Sequence, residues 1–167
     1  MANTYFDPGG LTELPFGLNG HIYRSQMPFR AEDPQGNLFQ EYQSRDINTV
    51  VMLVDSQEAR EKTGRDLAKF YSSNGMEVLH CPIQDFNVPD WERLVETLDV
   101  VTAQAQAGHN IVVHCNAGIG RTGTFLACLA KKILGFTGEE AVEWVRGFIP
   151  HAMENIAQVE FVLEFKP

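Results

Sequence analysis

The chain has 167 residues, 44% hydrophobic and 21% charged, which fits one ordinary globular domain and excludes a disordered or fibrous chain. Its formal net charge of −9, with no Lys/Arg cluster, argues against nucleic-acid and anionic-membrane partners. Three cysteines without small-domain spacing argue against a disulfide framework and for a reducing cytoplasm; no apolar run has the length of a membrane span, and MANTYFDPGGLTELPFG does not start as a signal peptide does.

In chain order, residues 1–20 are rich in Pro, Gly, Asn and Asp and predict an irregular arm. HIYRS (21–25) reads as a short strand. Residues 37–45 place Leu38, Phe39 and Tyr42 on one helical face. TVVMLV (49–54) is an apolar, β-branched run suited to a strand buried on both faces. Residues 56–73 predict a helix ended by Asn74-Gly75, and MEVLHCPI (76–83) the next strand. Pro89-Asp90 opens a helix over 91–107, with Trp91, Leu94, Val95, Leu98 and Val101 as its inner stripe and Gly108 as its stop. NIVVHC (110–115) is another buried strand, followed by a helix over 121–134 that ends at Gly135. Thr137 and Glu140 have capping-box spacing for a helix over 138–148. A last helix over 155–165 is expected to turn Ile156, Val159, Val162 and Leu163 inward. The alternation predicts an α/β fold: a central, mostly parallel sheet of about four to five strands flanked by helices. With no repeat or linker, residues 1–167 read as a single domain.

Ligands of such sheets bind beyond the carboxyl ends of the strands, and HCNAGIGRTGT (114–124) lies at such an end. Gly118 and Gly120 permit a tight turn, so the N–H groups from Asn116, Ala117, Gly118, Ile119 and Gly120 to Arg121 can point inward as an anion-binding nest at a helix N-terminus. Cys115 lies at the base of that nest, where the N–H groups and the helix dipole favour its thiolate. Arg121 offers a fork for two oxygens of a tetrahedral anion. A thiolate beneath a phosphate-shaped cradle is a nucleophile aimed at phosphorus. Thr122 is expected to donate its hydroxyl to the sulfur, and His114 to hold the loop by hydrogen bonds. The chemistry needs no metal or cofactor, because backbone N–H groups and Arg121 stabilise the charge, and the His and Cys spacings are not those of zinc sites.

HCNAGIGRT resembles the His-Cys-x5-Arg-Thr signature of the cysteine-based protein phosphatases, with His, Cys, both glycines, Arg and Thr-Gly in place. The resemblance spans about residues 21–165 and is nearest to the small bacterial and atypical dual-specificity branch. It implies a cysteinyl-phosphate intermediate and a general-acid Asp on a loop after a strand. Asp85 in CPIQDFNVPD, 30 residues before Cys115, matches that pattern better than Asp90, which reads as an N-cap. Longer members carry a late Gln that positions water; aligned on Gln158, Glu154 takes that place here, and Gln158 reads as a helix-surface residue. Asp55 or Glu58 either orients Arg121 or is a solvated turn charge. Cys81 is either an inert buried thiol or a redox partner of Cys115, and Cys128 reads as core.

The loop's variable positions, Asn116, Ala117, Ile119 and Gly120, are uncharged, which disfavours multiply phosphorylated ligands. The favoured partner is a phosphotyrosine-containing protein or peptide, with phosphoserine or phosphothreonine also open, acted on by a monomer. Phe86 and Phe29 are candidates for an aromatic rim, and equally for core. The rivals are a phosphoinositide phosphatase, a non-catalytic phosphopeptide-binding module, and a sulfurtransferase or arsenate reductase.

Overall fold

The apolar runs around Val50 and Val112 occupy the middle of a five-stranded sheet. In this computed structural model, which describes residues 6–167, the strands are β1 (Thr12–Leu14), β2 (Ile22–Ser25), β3 (Ile47–Met52), β4 (Glu77–His80) and β5 (Asn110–His114). Their order is β1-β2-β5-β3-β4. Every pair is parallel except β1 with β2, so the expected mixed, mostly parallel α/β sheet is present. The helices are α1 (Asn37–Ser44), α2 (Ser56–Thr63), α3 (Leu67–Ser73), α4 (Trp91–Gln106), α5 (Gly120–Leu134), α6 (Gly138–Phe148) and α7 (Ile156–Glu164). α5 packs against α4, α6 and α7. Eleven of its fifteen residues are buried, as for a helix enclosed nearly all round.

Ser25, Met52 and His114 lie level at the carboxyl ends of β2, β3 and β5. The chain leaves the sheet there and keeps bonding: Leu53 N–H donates to His114 O at 3.0 Å, and Ile83 N–H to Leu53 O at 2.9 Å. Those bonds bring the segment after β4 alongside the one after β5.

Four expectations need correction. The arm is not wholly irregular: Thr12–Leu14 pairs antiparallel with β2, because Thr12 and Leu14 bury one side of an edge strand (residues 1–5 lie outside the described residues). The helix expected over 56–73 is two helices. Gly64 at φ 71° closes α2, and the Asp66 side chain caps α3 through Lys69 N–H. On α4 the inner stripe is Leu94, Thr97, Leu98, Val101 and Ala105, while Trp91 is exposed. On α7 Ile156 and Leu163 face outward, and Gln158, expected on the surface, is fully buried beside Val162. Its amide is bonded at both ends, so burial leaves no polar group unpaired. No helix of the described residues is long and apolar enough to cross a membrane.

Candidate active site

The loop from Cys115 to Gly120 joins β5 to α5 and is shaped from below. Arg24, on β2 and fully buried, donates from Nε to Gly118 O at 3.0 Å and from Nη2 to Ala117 O at 2.9 Å. Met27 N–H and Arg30 Nη1 donate to Asn116 O at 2.9 and 3.2 Å. Because a trans peptide points its carbonyl and N–H in opposite directions, pulling three successive carbonyls outward turns the next three N–H groups inward. Burial lowers the Arg24 pKa to about 10, with opposing help from negative partners, so it stays a cation at neutral pH. Gly118 has φ 72°, and a Cβ there would overlap the Ser25 carbonyl and Arg24 Nη2; only glycine fits.

Cys115 is 2% exposed, and Gly118 N–H donates to its Sγ at 3.2 Å. His114 Nδ1 lies 2.9 Å from Cys115 O, which can only accept, so that nitrogen carries the proton. Nε2 therefore accepts from the Tyr71 hydroxyl at 2.9 Å. Burial pushes the His114 pKa down to about 4, and keeps Tyr71 protonated by raising its pKa. The neutral imidazole thus bonds the Cys115 carbonyl on one side and Tyr71 of α3 on the other.

Arg121, 2% exposed, is gripped by Glu58 through both guanidinium ends, at 2.8 and 2.9 Å, and also donates to Ile83 O at 3.0 Å. Burial is the largest single influence and opposes its charge, but the Glu58 hydrogen bonds together with the surrounding negative charge outweigh it and the pKa is raised. Of the two acidic residues considered, Glu58 orients Arg121, whereas Asp55 caps α2 through Glu58 N–H at 2.7 Å. Arg121 Nη2 also reaches Asp85 Oδ1 at 3.2 Å. The same oxygen accepts Phe86 N–H at 3.0 Å. Asp85 is half-exposed, and Oδ2 takes no bond among the described residues. Asp90 instead caps α4 through Arg93 N–H at 2.9 Å.

These groups line one pocket of about 130 Å3: Cys115, Asn116, Ala117, Gly120 and Arg121 from the loop, Asp85 and Phe86 from the segment after β4, and Glu154 from the turn before α7. Gly118, Ile119 and Thr122, also expected at the site, do not line it. The Thr122 hydroxyl is buried with no hydrogen-bond partner, so its expected bond to the sulfur is not made in this structure. Phe86 is 63% exposed at the rim, whereas Phe29 is packed on Phe39 and Phe70 in the core. Cys81 and Cys128 are free and buried, their thiol pKa values raised by burial, and neither lines the pocket. Among the described residues no three His, Cys, Asp or Glu side chains are grouped for a metal.

Sequence reasoning missed Arg24 and Glu154 as parts of the site. Arg24 stood visible in HIYRS, but only the parallel pairing of β2 with β5 puts it under the loop. Glu154 was set against a Gln by alignment, and no sequence signal aimed it at Gly120, where a Cβ would stand 2.6 Å from Glu154 Oε2.

Comparison with known proteins gives a family match over residues 26–133, described as "Polymorphic toxin system, DSP-PTPase phosphatase". An uncharacterised protein of Methanocaldococcus jannaschii is 37% identical over 52% of this chain, which spans 58% of that relative's length. The solved structure of Tk-PTP in its active form is 32% identical, with a TM-score of 0.72 over 87% of this chain and 90% of that one. Kinase associated phosphatase shares the fold at 20% identity, with a TM-score of 0.86 over 95% of this chain and 94% of that one.

Proposed function

The chain belongs to the cysteine-based tyrosine and dual-specificity phosphatases, and on that premise we propose that it hydrolyses phosphomonoesters on proteins, phosphotyrosine first among them. The observation that carries this reading is that one pocket is lined by a thiol, a buried guanidinium and a half-exposed carboxylate. Phosphoryl transfer by a thiolate asks for those three groups together.

Cys115 Sγ attacks phosphorus and the ester oxygen leaves, giving a cysteinyl phosphate. The inward N–H groups of the 116–121 loop and Arg121 hold the phosphoryl oxygens through the charge build-up. Glu58 and Ile83 O fix the guanidinium beforehand, so little reorganisation is left for the reaction itself. Asp85 protonates the departing oxygen from Oδ2, since Oδ1 is held by Arg121 and Phe86 N–H. In the second step Asp85 takes a proton from water, water attacks phosphorus, and the thiolate leaves. We assign the unpartnered Thr122 hydroxyl as the donor to that departing sulfur.

Three features support a monoester with an aromatic leaving group. Phe86 offers an exposed ring at the rim. Phenoxide is a better leaving group than a serine alkoxide. Glu154 adds a carboxylate to the pocket lining, which disfavours a ligand bearing a second phosphate beside the first. We take a monomer as the working unit, and three free thiols support a reducing, cytoplasmic setting.

The test is hydrolysis of p-nitrophenyl phosphate in the presence of a chelator, with inhibition by vanadate. Cys115→Ser is expected to abolish turnover while still binding a phosphotyrosine peptide; turnover retained in that variant overturns the mechanism. Phosphotyrosine peptide, phosphoserine peptide and phosphoinositide assayed side by side decide the substrate, with phosphotyrosine expected to give the highest kcat/KM.

A further inference from the structure

We infer that Asn155 and Gln158 are positioning residues for the proton transfer, fastening the Asp85 loop over the pocket from the start of α7; this rests on the reading of Asp85 as the acid. Asn155 Nδ2 donates to Phe86 O at 2.7 Å, and Gln158 Nε2 donates to Asn87 O at 3.2 Å. These are the two carbonyls that follow Asp85 in the chain.

The Asp85 loop has reason to need fastening. Asn87 N–H donates to Gln84 O at 2.9 Å, closing a β-turn over 84–87, and Phe86 sits in it at φ 62°. That is the third position of a type II turn, where glycine is preferred. A phenylalanine there is strained and persists only where the surroundings over-determine it. Packing does not supply this, because Phe86 is 63% exposed. The bond from Asn155 to the Phe86 carbonyl does, and the same residue's N–H holds Asp85 Oδ1. The geometry of the acid is therefore tied to α7 through one peptide on either side of Phe86.

The fastening end is rigid. Asn155 Oδ1 caps α7 by accepting Gln158 N–H at 2.9 Å, and Gln158 Oε1 accepts Glu154 N–H at 2.8 Å. Gln158 is fully buried, with both ends of its amide bonded. Ordering a long polar side chain in the interior is costly unless its bonds are made, so this glutamine is held in one orientation.

The experiment separates positioning from mere support. Both Asn155→Asp and Asn155→Ser keep an oxygen for the helix cap; Asp has no donor for Phe86 O, and Ser lacks the amide Nδ2 that reaches it. Each is assayed with phenyl phosphate, a poor leaving group that needs protonation, and with 2,4-dinitrophenyl phosphate, a good one that does not. The expected result is a fall of about 10-fold or more in kcat/KM for phenyl phosphate and less than about 3-fold for the dinitrophenyl ester, a part of the usual general-acid effect. In an Asp85→Asn background the Asn155 substitution is expected to add no further leaving-group dependence. Equal losses on both esters, or an undiminished Asn155→Asp effect in that background, would overturn the proposal. If Asp85→Asn itself shows no leaving-group dependence, the assignment of the acid fails first, and the two failures are told apart.

Discussion

His114 sits under the loop with both ring nitrogens bonded, one to Cys115 O and one to the Tyr71 hydroxyl, and it is neutral because it is buried. Protonating it would strip Nε2 of its acceptor role and place a cation near Arg121 in a dry site. The sign follows from linkage. The folded pKa of about 4 lies below the usual 6.5, so the unfolded chain binds the proton more readily. The stability contributed by neutral His114 is therefore intact above pH 6.5 and is lost as the pH falls from there toward 4. Between pH 7.5 and 5.0 this amounts to about 2 kcal/mol. Urea unfolding at the two pH values is expected to show a fall larger by that amount in the wild type than in His114→Gln. An equal fall in both would show that His114 does not titrate in this way. The signature residues could be read from sequence because their spacing is local: one turn fixes where His114, Cys115 and Arg121 stand. Glu58 remained one of two choices, since only the fold shows Asp55 spent on capping α2.

β2 shows where local reading stops. HIYRS was legible as a strand, but nothing in its pattern tells that it lies beside β5 or that its arginine faces the next loop. Arg24 donates to Gly118 O and Ala117 O, and from Nη1 to Asp7 O and Gly10 O at 3.2 and 3.3 Å, joining the arm, the strand and the loop. In Arg24→Met the apolar stem is kept and five carbonyls, that of Pro8 at 3.5 Å included, lose this donor. Unsatisfied buried carbonyls cost roughly 1–3 kcal/mol each, partly recovered by water, so a net loss of about 3 kcal/mol is expected in urea unfolding. The loop's carbonyls are then free to turn inward, and affinity for vanadate is expected to fall at least 10-fold. Vanadate binding unchanged in a folded Arg24→Met protein would show that Arg24 does not shape the anion site. The helix boundary at Gly64 has a related lesson. The periodicity of Leu67, Phe70 and Tyr71 is real, but Thr63-Gly64-Arg65-Asp66 holds both a stop and a new cap. The break ends α2 after two turns, a short helix whose first turn sets Glu58 on Arg121. Gln158 was misplaced for the converse reason: a polar residue defaults to the surface unless a partner is known, and the acceptor for its amide N–H, Asn87 O, comes from the Asp85 loop far away in the chain.

At the scale of the molecule, the proposed function asks a chain of net charge −9 to bind an anion, so the long-range field opposes the encounter that the local site rewards. The opposition is concentrated at the mouth. Arg121 is already paired with Glu58, and Asp85 and Glu154 line the same pocket, in which Arg121 is the one guanidinium among the described residues. Screening should therefore help this enzyme, the reverse of one that steers anions with a basic surface. The Debye length falls to about 8–10 Å by physiological ionic strength, short enough to mute the distant carboxylates while leaving the buried Arg121 contacts in force. Raising ionic strength from about 0.02 to 0.2 M is expected to increase kcat/KM for a phosphotyrosine peptide by roughly 2- to 4-fold, and by more for the same peptide with a second phosphate next to the first. Glu154→Gln removes a pocket charge at nearly constant shape, so its salt dependence should be shallower and its discrimination against the doubly phosphorylated peptide weaker. A fall in kcat/KM with salt for the singly phosphorylated peptide would mean that a basic surface guides the substrate after all. Identical discrimination in wild type and Glu154→Gln would mean that the rejection of a second phosphate arises from the summed charge of the surface and not from the carboxylate at the mouth.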